Sequence, residues 1–310
     1  MNTTIVVSVP DERLLASLKD AEGVECLLWD MSGEAPRNDI DLVVPPYWDG
    51  VRPLARLEGM KVQLVQWQSI GFDGVANALP EGMRLANATS VHETATAELA
   101  VGITIAAQRG FAEAVHNQTK GLWYNETRRG LADKRVLLLG YGGVSKAIES
   151  RLLPFEVDIT RVASRARTEQ LPGGETVSVH GIDELDALLP EADIVMIGLP
   201  LSDATRGLFD RERLALMSDD ALLVNVGRGP IVVTDDLVAE LQTGRIRAAL
   251  DVVDPEPLPE GHPLWACENA FITPHNGGDS QAMHPRIVRL IKRQVEHLRA
   301  GETPENIVLS

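Results

Sequence analysis

Three short motifs in the last third of the chain carry side chains suited to holding an anion and moving a proton: Asn225-Val-Gly-Arg-Gly229, Leu250-Asp-Val-Val-Asp-Pro-Glu-Pro257 and Ile272-Thr-Pro-His275. Each starts as an apolar strand-like run and ends in a polar group. In a parallel sheet the carboxyl ends of the strands share one edge, so Arg228, Glu256 and His275 can converge on a single crevice. Their chemistries are complementary. A guanidinium grips a carboxylate through two hydrogen bonds and polarises the carbonyl beside it, an imidazole supplies the proton as hydride arrives, and a carboxylate on the other ring nitrogen orients the imidazole. Asp251, at a strand tip, is placed for a nicotinamide carboxamide. Taken singly, each has an ordinary alternative: Arg228 and Glu256 as surface charges, His275 as a core histidine, Asp251 as a loop cap. Their order at successive strand ends favours chemistry.

Hydride transfer needs a nicotinamide site, and Arg135-Val-Leu-Leu-Leu-Gly-Tyr-Gly-Gly-Val-Ser145 reads as strand, tight turn and amphipathic helix (Val144, Ala147, Ile148, Leu152). Gly140 permits the sharp turn, Gly142 lets backbone N–H groups approach a diphosphate, and the helix N-terminus adds partial positive charge. By itself the pattern also suits a merely tight βα connection, and Ser145 stands where the fingerprint has its third glycine. The following strand, Ile159-Thr-Arg-Val-Ala163, ends in Ser164-Arg165-Ala166-Arg167. An NAD-selective fold places a carboxylate there, about 20 residues after the glycines. Instead Ser164, Arg165 and Arg167 match the oxygens of a 2′-phosphate, which points to NADP(H), with NAD(H) as the alternative. A solvated basic turn is the plain reading, and Arg161 is taken as part of one.

The elements that must position these groups follow from the rest of the chain. The 310 residues, 44% of them hydrophobic, suffice for two domains with separate cores. A net charge of −16 argues against a nucleic-acid or anionic-membrane binder. Cys26 and Cys267 lack metal-type or CxxC spacing and read as reduced core or boundary residues, so no metal is expected. With no leader-like N-terminus and no apolar run near 18 residues, a cytoplasmic protein is expected. Strand-like runs at residues 4–9, 24–29, 41–44 and 62–66 alternate with helical or loop segments, as in a small parallel α/β domain. Asp11 is a cap for a helix through Leu18. Gly71 follows a strand end, and Tyr47, Trp48 and Trp67 either line a pocket or cover the sheet edge. Ser90-Val-His-Glu93 has the form of a capping box before a helix apolar on most faces, and residues 110–130 read as a polar crossover. Further strands are expected at 193–198, 221–226, 246–253 and 271–273, with Thr234 as a helix cap and Gly244 as a stop, giving a doubly wound sheet. Residues 281–300 form a last amphipathic helix, long enough to return to the first domain.

Together these motifs resemble the D-isomer-specific 2-hydroxyacid dehydrogenases. The likeness runs from about Gln66 to the C-terminus and is carried by Ser69-Ile-Gly-Phe-Asp73, Thr96-Ala-Glu-Leu99, the Gly140 turn, Leu199-Pro-Leu-Ser-Asp-Ala-Thr-Arg206 and the three motifs above, the last as Thr273-Pro-His275. The resemblance implies an α/β protein of two Rossmann-like or flavodoxin-like domains with parallel sheets and the active site in the interdomain cleft: residues 1–94 with 280–310 as a flavodoxin-like substrate-binding domain, and 95–279 as a dinucleotide-binding Rossmann domain. It implies Arg228, Glu256 and His275 as the catalytic set, and a substrate carboxylate met by Ile70 and Gly71 as well as Arg228. It further implies a cofactor held by Thr96, Gly140, Gly142, Gly143, Val144, Ser164, Arg165, Arg167, Leu199, Pro200, Val226, Asp251 and Gly278, and a homodimer formed through the cofactor domain.

The Ser-Arg-x-Arg turn and a short connection bearing Trp123 are similar to the NADPH-using glyoxylate/hydroxypyruvate reductases, which implies reduction of a small 2-keto acid to a D-2-hydroxy acid. The chain departs from the family at Ser145, at Asn276 after the histidine, and at Gly277-Gly278-Asp279, which reads as a polar, mobile loop. Tyr47, Trp48 and Trp123 suggest bulkier 2-keto acids as the alternative. A non-catalytic nicotinamide sensor, as among the related C-terminal binding corepressors, is the alternative of another class. A phosphoglycerate substrate fits less well, since the N-terminal strand ends lack a basic cluster.

Overall fold

The computed structural model describes residues 4–171 and 173–310, which divide into two compact units, Met1–His92 with Gly278–Ser310, and Glu93–Gly277. In the first, β1 (Ile5–Val9), α1 (Glu12–Leu18), β2 (Val24–Leu28), β3 (Asp39–Val43), β4 (Lys61–Gln66), the single turn α2 (Val75–Ala78) and β5 (Leu85–Ala86) come in chain order. The second runs α3 (Glu93–Arg109), α4 (Phe111–Thr119), β6 (Arg135–Leu139), α5 (Gly143–Leu152), β7 (Asp158–Ala163), β8 (Arg167–Gln170), β9 (Thr176–Gly181), α6 (Leu185–Leu188), β10 (Ile194–Ile197), α7 (Arg211–Leu216), β11 (Leu222–Asn225), α8 (Thr234–Gln242), β12 (Arg247–Leu250) and β13 (Ala270–Ile272). The chain then returns to the first unit with α9 (Met283–Ala300) and β14 (Ile307–Leu309).

The first sheet has the order β14-β5-β4-β3-β1-β2, parallel except for β14. Its five parallel strands follow the flavodoxin-like order, with the reversal at β1. Asp11 caps α1 by accepting from Leu14 N–H. The apolar stripe of α9, Ile287, Leu290, Ile291 and Val295, closes the core over Ile5, Val7, Leu42 and Leu64. A fully buried amide pair fixes where β14 joins. Gln294 donates to Gln66 Oε1 (2.8 Å) and to the Glu305 carbonyl (2.9 Å) and accepts from Glu305 N–H, while Gln66 donates to the carbonyls of Trp67 and Asn87. Polar groups buried this completely are tolerable because each has a partner.

The second sheet has the order β13-β12-β11-β10-β6-β7-β9-β8, parallel apart from the edge strand β8. Connections reverse on either side of β6, the doubly wound pattern whose ligands lie beyond the carboxyl ends of the strands. Ala97, Ala100 and Val101 of α3 pack on one face with Ile148 and Leu152 of α5. Phe209, Leu214, Leu237 and Leu241 fill the other.

Several expectations need correction. The first helix of the second unit starts at Glu93, two residues later than a Ser90 cap requires, and Ser90 has left-handed backbone (φ 80) rather than the extended conformation of a cap. Thr234 is inside α8 rather than capping it, and its hydroxyl donates to the Asp254 carbonyl; Gly244 (φ 76) does follow the helix as a stop. Residues 110–130 contain α4, and only their second half is irregular. The β8–β9 hairpin was not anticipated. A Gly173-Gly174 turn precedes the alternating β9, but β8, Arg-Thr-Glu-Gln, is polar throughout and carries no strand pattern of its own. Both cysteines are free, and burial pushes the Cys26 thiol up to about 11.

Candidate active site

Register decides which residues share an edge. Val162, Leu139, Ile197, Asn225, Leu250 and Ile272 are paired one to the next across β7, β6, β10, β11, β12 and β13. Residues one to three beyond each therefore line a single edge of the second unit: the Gly140 turn, Ser164 and Arg165, Leu199 and Pro200, Val226 and Arg228, Asp251, and His275. Neighbouring strands are about 4.8 Å apart, so the edge brings together groups more than a hundred positions distant in sequence.

His275 Nδ1 and Glu256 Oε1 are in direct hydrogen-bond contact. The ring is about half exposed, and His275 takes left-handed backbone (φ 52), unusual for a residue with a side chain. Asp251 holds it there. Buried to 3% exposure, its carboxylate accepts from Thr273 Oγ1 (2.6 Å) and Asn276 N–H (3.1 Å) on one oxygen and from Gly277 N–H (2.8 Å) on the other. Its carbonyl accepts from His275 N–H (2.8 Å). The histidine is thus braced on both sides by one residue, and a carboxylate with about four lone-pair sites retains capacity for a further donor. The glycines of this loop serve close packing rather than mobility. A Cβ on Gly277 would lie 2.8 Å from Asp251 Oδ2, and one on Gly278 would lie 2.8 Å from His92 Nδ1. Asn276 is exposed.

Half-buried Arg228 follows β11 on a loop tied by Asn225, which donates to the Arg228 carbonyl (3.0 Å) and accepts from Gly227 N–H (3.0 Å). A Cβ on Gly229 would lie 1.8 Å from the Val253 carbonyl oxygen, so only glycine lets this loop press against the one that leads to Glu256. Arg228 Nη1 donates to the Gly227 carbonyl at 2.8 Å.

The nucleotide turn fits a diphosphate. α5 opens from Gly142 with no side chain capping its N-terminal N–H groups, and nothing lies within 4 Å of where a Gly142 Cβ would be. Gly140 (φ 89) needs its conformation and its bareness, since a Cβ would approach Leu199 Cδ2 to 2.9 Å. Ser145 is accommodated because β10 is followed by a glycine: a Cβ on Gly198 would stand 2.4 Å from Ser145 Oγ. Gly143 packs toward Glu93, Val144 is half-buried, Val226 is buried, and the Thr96 methyl lies against Gly277. Ser164 and Arg165 are exposed just after β7, and Arg167, also exposed, is the first residue of β8 rather than part of the turn. Arg161 is not a solvated turn residue. Its guanidinium pairs with the 2%-exposed Glu149 through Nε (3.0 and 3.1 Å). Together with Tyr141, whose hydroxyl burial pushes up to about 12, the pair lies beneath the turn.

In the first unit, the carbonyls of four successive residues after β4 are occupied. His92 Nε2 lies 2.6 Å from Gln68 O, Ala88 N–H donates to Ser69 O (2.9 Å), Asn87 to Ile70 O (2.8 Å) and Trp67 Nε1 to Gly71 O (2.9 Å). With those carbonyls taken, the backbone N–H groups of this loop, those of Ile70 and Gly71 among them, are donors of the kind that meets an anion. Trp67, buried, is a brace rather than a pocket wall; Tyr47 stacks on His92 at 5.8 Å, and Trp48 is exposed. Gly278 belongs to this unit, its carbonyl 3.0 Å from His92 Nδ1.

The family model for the D-isomer-specific 2-hydroxyacid dehydrogenase NAD-binding domain matches residues 101–277, more than half of the chain. The chain belongs to this dehydrogenase family. Over 307 residues it is 32% identical to a glyoxylate reductase of Thermofilum pendens, covering 96% of this chain and 84% of the relative. Over 278 residues it is 30% identical to a glyoxylate reductase/hydroxypyruvate reductase of Mus musculus, covering 84% of each. A Xanthobacter autotrophicus D-isomer-specific 2-hydroxyacid dehydrogenase, solved in complex with NADPH and MES, superimposes with a TM-score of 0.79 at 26% identity, covering 99% of this chain and 98% of that one.

Within this dehydrogenase Asn225, Gly229, Thr273 and His92 all stand inside strings read from the sequence, but their roles as braces of the loops come only from tertiary contacts. Replacing Asp251 by Ala is expected to cut NAD(P)H-dependent turnover about 10²-fold by misplacing His275, a cost typical of displacements of about 1 Å. Steady-state rates on the folded variant check this, and turnover within about twofold of the parent would refute the bracing role.

Proposed function

We propose that this dehydrogenase reduces small 2-keto acids of the glyoxylate/hydroxypyruvate type to D-2-hydroxy acids, with NADP(H) preferred over NAD(H). The observation that carries the reading is the Glu256–His275 contact on the same strand-end edge as the nucleotide turn. The nicotinamide cofactor supplies hydride when bound. In this reading the backbone N–H groups of Ile70 and Gly71 receive the substrate carboxylate, and Arg228 grips it and polarises the keto oxygen. His275 Nε2 delivers the proton to that oxygen, while Glu256 on Nδ1 keeps the ring aimed. Thr96, Gly140, Gly142, Gly143, Val144, Leu199, Pro200, Val226, Asp251 and Gly278 are assigned to the cofactor, the remaining acceptor capacity of Asp251 serving the carboxamide. Ser164, Arg165 and Arg167 are assigned to the 2′-phosphate, and the NADPH bound in the Xanthobacter structure supports that assignment.

Initial rates with glyoxylate, hydroxypyruvate, pyruvate and phenylpyruvate, each with NADPH and NADH, test the proposal. The first two substrates with NADPH should be fastest. A faster rate with phenylpyruvate would favour a bulkier substrate, and cofactor binding without turnover would favour a sensor. His275→Ala should lose 10²–10⁴-fold in turnover, as positioned acid–base groups do. Arg165→Ala should raise the KM for NADPH well above any change for NADH, and equal changes would remove the phosphate assignment.

We further read the chain as a homodimer. No helix among the described residues is long and apolar enough to cross a membrane, yet the segment from α4 onward exposes Phe111, Val115, Leu122, Tyr124 and Trp123, the last 98% exposed. Apolar groups gathered this way mark association surfaces. Sedimentation equilibrium should give twice the 33.7 kDa chain mass; a monomer at micromolar concentration would exclude the dimer.

A further inference from the structure

The edge hairpin brings a carboxylate to the basic turn that β7 alone lacks. Glu169, on β8, is largely shielded, with 19% of its side chain exposed, and lies between two cations. Its Oε1 accepts from Arg167 Nε at 2.7 Å, and its Oε2 contacts Lys146 Nζ on the first turn of α5. Both cations also reach the nucleotide turn. Arg167 Nη2 donates to the Tyr141 carbonyl (3.3 Å), and Lys146 Nζ stands 5.4 Å from the centre of the Tyr141 ring. Lys146 and then Arg167 hold the Glu169 carboxyl below the usual carboxylate range, so it is ionised at neutral pH.

We propose that Glu169 is an internal counter-anion that sets how strongly this enzyme discriminates between cofactors, by occupying the two cations that a 2′-phosphate would otherwise draw on. The proposal rests on the assignment of Ser164, Arg165 and Arg167 to that phosphate. An incoming dianion must share Arg167 and Lys146 with Glu169 and is repelled by it, whereas a cofactor with a free 2′-hydroxyl meets neither effect. Glu169 thereby narrows the advantage of NADP(H) and keeps NAD(H) usable. β8, the antiparallel strand of this sheet, carries that charge at its edge.

Glu169→Gln is the discriminating variant, because its amide oxygen still accepts from Arg167 and so preserves the turn while removing the charge. Calorimetric binding of NADP⁺, NAD⁺, 2′,5′-ADP and 5′-AMP to the parent, Glu169→Gln and Arg165→Ala reads the effect without turnover. The expected result is that Glu169→Gln binds NADP⁺ and 2′,5′-ADP about 3- to 10-fold more tightly at low salt, binds NAD⁺ and 5′-AMP within about twofold of the parent, and loses most of the gain at 1 M salt, where screening reaches about 3 Å. Unchanged or weaker binding of the two phosphate-bearing probes, with Arg165→Ala still weakening them, overturns the counter-anion and leaves the phosphate assignment standing. If Arg165→Ala leaves those probes unaffected, the phosphate assignment itself falls, and the counter-anion with it. A gain shared equally by all four probes would also overturn the proposal, since it would show a general field rather than discrimination at the 2′ position.

Discussion

Parallel strands that stop in one row impose the geometry on which the second unit depends. Because β7, β6, β10, β11, β12 and β13 are paired in continuous register, the chain emerges from each at the same edge. What each strand then does within three residues decides the chemistry. The loops after β11 and β12 can approach each other only because Gly229 presents no side chain to the Val253 carbonyl. The loop after β13 keeps His275 in a left-handed conformation only because Asp251 gathers the hydrogen bonds on either side of it. Holding an unfavourable backbone conformation commonly costs about 1–3 kcal/mol, so the buried carboxylate is a structural requirement of the loop before it is anything else.

The β7 end of the same edge is arranged by charge. An acidic chain concentrates arginine and lysine here, and three of the cations have a carboxylate partner: Glu149 for Arg161, Glu169 for Arg167 and Lys146. The two carboxylates differ in consequence. Glu149 is buried with Arg161, and that pair fixes the underside of the turn, since removing either partner would strand a charge away from water. Glu169 lies at the sheet edge, where its field reaches whatever occupies the turn.

The first unit solves a simpler problem with backbone groups. Taking up the carbonyls of Gln68, Ser69, Ile70 and Gly71 leaves a loop whose offered groups are donors, without a single basic side chain. That arrangement depends on residues such as Asn87, His92 and Trp67, which look unremarkable in sequence, and on the buried Gln66–Gln294 pair that fixes the C-terminal segment against β5.

The sequence by itself determined the alternation of strands and helices, the glycine turn, and the placement of Arg228, Glu256 and His275 just beyond strand ends, because each is written in a contiguous run whose period or spacing has a direct physical cause. It also carried the family, since Asn225-Val-Gly-Arg-Gly229 and Thr273-Pro-His275 survive as short strings. Only the tertiary structure decided that Asp251 braces the histidine, that Arg161 is buried against Glu149, and that Glu169 comes to stand between Arg167 and Lys146. Each of these is a pairing between distant segments, and no local period records which carboxylate a folded sheet will bring to which cation. The missed hairpin has the same origin. Four residues of exposed edge strand bury too little apolar surface to leave a pattern, and they are held by pairing with β9 rather than by their own preference.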